Sequence, residues 1–101
     1  MDADIKKLYH QLHSEYSLEL KSSLDLGFKT DIDYPVLCGT SVLGSFELFY
    51  GDFSFEFYSM QENGKFLAHF HLLSAAEAEK TVVDFMNGKL TNIQFGQPND
   101  I

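Results

Sequence analysis

His69 and His71 are one residue apart in the run Phe66-Leu67-Ala68-His69-Phe70-His71-Leu72, so on an extended chain both imidazoles leave the same side of the strand. Imidazole is the side chain that changes charge near neutral pH. Glu47 and Glu56 stand in two further alternating runs, as carboxylates that could exchange a proton with such an imidazole or hold a cation. A second histidine pair, His10-X-X-His13, occupies neighbouring positions on a helical stretch. All four imidazoles together would make a nitrogen-rich metal site. The apolar stripe of that helix leaves His10 pointing away and His13 at its margin, however, and zinc sites favour Cys and tighter, recurring spacings. No metal and no cofactor are expected. Cys38, alone in an apolar strand, reads as a small buried hydrophobe rather than a nucleophile. The chain has no Gly-rich phosphate loop, nucleophile elbow or paired-Cys motif, so no catalytic residues are assigned and the chain is not read as an enzyme.

The elements that must position these groups are strands. Phe46, Leu48 and Tyr50 alternate with Ser45, Glu47 and Phe49, and after Gly51-Asp52 the residues Phe53, Phe55 and Phe57 alternate with Ser54, Glu56 and Tyr58. A two-residue Gly-X turn predicts a hairpin in which Phe46 opposes Phe57, Leu48 opposes Phe55 and Glu47 opposes Glu56. Asn63-Gly64 predicts a second hairpin, with Phe57 opposite Phe70, Phe55 opposite Leu72, and Glu62 meeting Lys65 beside the turn. Both registers put Phe46, Leu48, Phe55, Phe57, Phe70 and Leu72 on one face. The other face then carries Glu47, Glu56 and His71 in one row, Ser45, Tyr58 and His69 in the next, and Phe49, Leu67 and Leu73 around them.

Outside the meander, Ile5, Leu8, Tyr9, Leu12, Tyr16, Leu20 and Leu24 recur at spacings of three and four, which predicts a helix over about residues 3–25 ending at Gly27. Tyr16, Leu18, Leu20, Leu24, Leu26 and Phe28 also fit a period of two, a rival strand reading for the second half of that segment. A connector with Asp31, Asp33 and Pro35 leads to a short strand at Val36 to Thr40. Ser74-Ala75-Ala76-Glu77 is a capping box that starts a second helix, with Ala75, Ala78, Val82, Phe85 and Met86 as its buried stripe and Asn87-Gly88 as its end. Leu90, Ile93 and Phe95 suggest one more extended segment, and residues 96–101 read as a frayed end. The expectation is one α+β domain over residues 1–101: helix, three- or four-stranded antiparallel meander, helix, with the helices packed on one face.

Composition narrows the function classes. Fifteen acidic residues against seven Lys and no Arg give a formal charge of −8, which opposes direct nucleic-acid binding. A lone Cys, no Lys-led apolar opening and no apolar run near the ~20 residues of a membrane helix point to a cytoplasmic, non-membrane protein. Between Lys29 and Lys65 every charged residue is acidic. The expected role is a non-enzymatic module that binds a basic protein, in the physical character of an inhibitor or immunity-type protein, through Glu47, Phe49, Glu56, Tyr58, Leu67, His69 and His71. The alternatives are a metal protein or small enzyme using the Glu47, Glu56 and His71 face, a nucleic-acid mimic, and a homodimer formed through Phe49, Leu67 and Leu73.

Overall fold

Apolar residues at every second position along the middle of the chain require a sheet with one covered face, and the covering helices come from its two ends. The computed structural model describes residues 1–90. In chain order the elements are α1 (Asp2–Leu12), β1 (Leu18–Ser22), β2 (Pro35–Ser41), β3 (Gly44–Tyr50), β4 (Phe55–Met60), β5 (Phe66–Leu72) and α2 (Ala75–Met86). The strands form one antiparallel sheet in the order β1-β2-β3-β4-β5. The α+β class and the meander hold, but the strands number five rather than three or four.

The extra strand comes from the segment expected to continue the first helix. α1 stops at Leu12, where His13 Nδ1 donates to the Tyr9 carbonyl at 3.0 Å. After a turn, Leu18–Ser22 pairs with β2, placing Leu20 opposite Leu37. The rival period of two is the one the chain follows here. Ser14 and Ser17 are poor helix formers, and in β1 Leu18 reaches the core that a helix would have denied it.

The turn at Gly51 also differs. Tyr50 pairs with Phe55, so the β3–β4 loop is the four residues Gly51–Ser54, closed by Gly51 N–H donating to the Ser54 carbonyl at 2.8 Å. Phe53 therefore leaves the strand and stands 89% exposed at the loop. Leu48 faces Phe57 and Phe46 faces Ser59, a slip of two residues from the expected pairing. A slip of two preserves the alternation, so the same side chains still face inward. The β4–β5 register is as expected at its centre, Phe57 with Phe70 and Phe55 with Leu72. An irregularity at Ser59/Met60 shifts it near the turn, where Gln61, rather than Glu62, bonds Lys65.

Both helices lie on the inner face. Ile5, Leu8 and Leu12 of α1 and Ala78, Val82 and Phe85 of α2 join Leu18, Leu37, Phe46, Leu48, Phe55, Phe57, Phe70 and Leu72 in one core. Phe85 meets the rings of Phe46 and Phe57 edge-on at 5.5 and 5.6 Å. α1 covers β1 to β3, and α2 crosses to β2, β4 and β5. The α2 start follows its capping box: Ser74 Oγ accepts from Glu77 N–H at 3.1 Å, and Glu77 Oε1 accepts from Leu73 N–H at 2.9 Å. Ala75 is exposed, and Thr81 takes a buried place, its hydroxyl donating to the Glu77 carbonyl at 2.8 Å. The expected segment around Ile93 and Phe95 and the tail at 96–101 lie outside the described residues.

Candidate functional site: the outer face of the sheet

With both helices on one side, the alternate residues of the strands are left to build the other. The slip in the β3–β4 register rearranges the expected rows: Glu47, Tyr58 and His69 form one, and Phe49, Glu56 and His71 the next. Glu47 and Glu56 are thus not opposed across β3 and β4, because the loop joining those strands is two residues longer than a tight turn. Glu56 keeps its central place, between Phe49 and His71.

Glu56 gathers three donors. His69 donates from Nε2 to Oε1 at 2.7 Å, His71 from Nδ1 to Oε2 at 3.0 Å, and Ser54 Oγ to Oε2 at 2.8 Å. Its side chain is 15% exposed. Burial alone would push its pKa up, but the hydrogen bonds from His69 and Ser54 and the nearby His71 outweigh that and hold it below the ordinary glutamate range. Ser54 comes from the same loop that displaced the register.

Aromatic rings continue from this cluster across the sheet. His69 stacks on Tyr58 at 3.9 Å with 12° between planes, and Tyr58 on Phe49 at 5.9 Å with 9°. Phe49 in turn meets Phe28 at 5.4 Å and Tyr34 at 5.5 Å, both from the β1–β2 connector. The connector therefore roofs one end of the outer face. Phe49 is half-buried beneath it, and Val36 on the same face is fully buried. Asp33 ties the roof down: its Oδ1 accepts from Ser22 Oγ at 2.6 Å, Ser23 Oγ at 3.1 Å and Leu24 N–H at 3.4 Å. Those bonds, Ser22 foremost, lower its pKa.

Beside the roof, a concave region of about 590 Å³ opens over β1, β2 and β3, lined among others by Leu26, Glu19, Lys21, Cys38 and Glu47. Lys21 pairs with Glu19 at 3.3 Å. Glu47 is half-buried and accepts no hydrogen bond from any described residue; burial raises its pKa, with Lys21 opposing. Burial first, and then the charge of Glu47, push the Cys38 thiol up to about 11. A thiol so held is protonated at neutral pH and a weak nucleophile.

No family model matches the chain, and no curated protein or solved structure does either. The site therefore rests on its own geometry. Of the seven residues singled out from the sequence, Glu47, Phe49, Glu56, Tyr58, His69 and His71 share the outer face in two adjacent rows. Leu67 lies half-buried on β5, closer to the turn than those rows. Leu73 is 81% exposed just beyond that strand. His10 on α1 and His13 at its C-terminal cap lie across the sheet from His69 and His71, so the two pairs do not meet. Sequence reasoning missed Ser54, Phe28, Tyr34 and Asp33; a period of two continuing from Tyr16 to Phe28 was the one available signal that Phe28 belonged near a sheet. Among the described residues no helix is long and apolar enough to cross a membrane.

Proposed function

We propose that the chain is a small non-enzymatic binding module whose outer sheet face docks a basic protein, in the manner of an inhibitor or immunity-type protein. The observation that carries this reading is Glu47, a half-buried carboxylate that accepts no hydrogen bond from any described residue and feels only the charge of Lys21 nearby. Such a group has lost part of its hydration without replacement, and an incoming guanidinium or ammonium would supply the missing donors. Tyr58 stands directly across from Glu47 on the same face and is 37% exposed, an apolar surface against which the stem of that cation would pack. The formal charge of −8 adds attraction at a distance, which favours fast encounter with a cationic partner and opposes direct nucleic-acid binding. Glu56 contributes less than its central place suggests, because its oxygens are already engaged.

The test is capture from the source lysate with wild type and Glu47→Lys as parallel baits, followed by association kinetics on whatever is retained. The expected partner is basic, associates more slowly as salt rises, and binds Glu47→Lys at least about tenfold more weakly, a loss of about 1.4 kcal/mol. Equal retention by both baits, or an acidic partner, would overturn the reading.

A second reading, self-association, is favoured by the edge of β5, which pairs with no further strand among the described residues and beside which Phe66 (62%), Met60 (45%) and Leu73 (81%) are exposed. Light scattering that reports a dimer dispersed by Phe66→Asp would support it; a monomer at high concentration would remove it.

A further inference from the structure

Glu56, His69 and His71 offer one oxygen and two nitrogens that all lie within 4.8 Å of one another. From this we infer a binding site for a divalent transition cation of the zinc type on the outer face of the β4–β5 pair, an assignment that stands apart from the docking reading. The donor set points to the class of ion. Two imidazoles and one carboxylate suit zinc and its neighbours, whereas magnesium and calcium take oxygen ligands.

The distances are those of a site drawn slightly too tight around its own protons. His69 Nε2 and His71 Nδ1 converge on the two oxygens of one carboxylate at 2.7 and 3.0 Å. In a tetrahedral site with bonds of about 2.0–2.2 Å, ligand atoms stand about 3.3–3.5 Å apart. Small side-chain rotations therefore suffice to open the cluster around an ion. On loading, each ring would exchange its proton through solvent from the nitrogen that now faces Glu56 to the other ring nitrogen, which frees the lone pairs of His69 Nε2 and His71 Nδ1 for the metal.

The supports of a metal site are also present. Ser54 Oγ donates to Glu56 Oε2 at 2.8 Å, and the His69 ring is held against Tyr58 at 3.9 Å, so two of the three ligands are oriented in advance. His71 is 65% exposed, which leaves an entry from solvent and outward positions for water. No lysine forms an ion pair with Glu56 among the described residues. A divalent ion would bring positive charge to that half-buried carboxylate. Row assignment alone concealed this site, because His69 stands in the row next to that of Glu56 in the expected and the observed register alike, and it is the orientation of its side chain that brings Nε2 to Glu56 Oε1.

The experiment is titration of the untagged full chain with Zn²⁺, monitored by elemental analysis after dialysis and by the imidazole nitrogen resonances. One equivalent should be retained in the presence of excess Mg²⁺, with His69 and His71 shifting and His10 and His13 unmoved. His71→Ala, at an exposed position where loss of fold is not expected, should abolish retention while leaving the circular dichroism spectrum unchanged. Ser54→Ala, which removes no ligand, should weaken binding about 10–100-fold. The assignment is overturned if the wild type retains no zinc, or if retention survives His71→Ala and disappears instead in a His10→Ala/His13→Ala double variant.

Discussion

Three carboxylates with the same chemistry have been given three environments, and pH separates two of them with opposite signs. Asp33, beneath its Ser22 and Ser23 hydroxyls, has a lowered pKa. It therefore stabilises the fold fully above the ordinary aspartate range near about 4, and that contribution disappears as pH falls through the lower folded value. Asp33→Asn should melt below wild type at pH 7, with the gap closing on acidification. Glu47 is the reverse case, its pKa raised by burial. Its ionised form burdens the folded state at neutral pH, and the burden lifts as pH falls through the raised value toward the unfolded one near about 4.3. Glu47→Gln should melt slightly above wild type at pH 7, and the advantage should vanish in acid. Thermal denaturation of both variants across that range checks the pair; a gain for Glu47→Gln that persists in acid would mean burial of charge is not its source.

At the scale of elements, the β3–β4 hairpin shows what alternation can and cannot fix. Phe53, Phe55 and Phe57 continue the period of two without a break, so nothing in the hydrophobic pattern marks Phe53 as loop. Agreement between the two expected registers was blind to the error, because a two-residue slip leaves every side chain on its face. The inner face was therefore legible and the outer neighbours across β3 and β4 were not, which is why Glu47 and Glu56 were paired. The first helix failed for a related reason: spacings of three and four share several positions with spacings of two, and only the partner strand β2 decides between them. Local chemistry was read correctly where it is self-contained, as in the Ser74 cap. One element boundary depends on a glycine. Gly44 opens β3 at φ 136°, and a Cβ there would stand 1.9 Å from the Met60 carbonyl oxygen. Gly44→Ala should cost about 1–3 kcal/mol or more, since both the backbone angle and the approach to β4 are denied to it. Chemical denaturation measures that loss, and a variant as stable as wild type would show that the β2–β3 turn has freedom to move.

For the whole molecule, charge and topology act on different observables. A formal charge of −8 on 101 residues means net self-repulsion, so moderate salt should raise the melting temperature while slowing any association with a basic partner. Salt that left melting unchanged would place the acidic residues too far apart to matter. Topology speaks to time rather than to equilibrium. Each strand pairs only with its neighbours in the chain, from β1 to β5, with no crossover. The loops to be closed are therefore short, the longest being the β1–β2 connector, and each new strand finds its template already beside it. Nascent chain can thus zip the sheet in the order it emerges, with α2 arriving last to seal Phe46 and Phe57 under Phe85. Refolding in a single phase on the order of milliseconds is the expected result in stopped-flow fluorescence of its tyrosines, as suits a sheet assembled from sequence-local contacts.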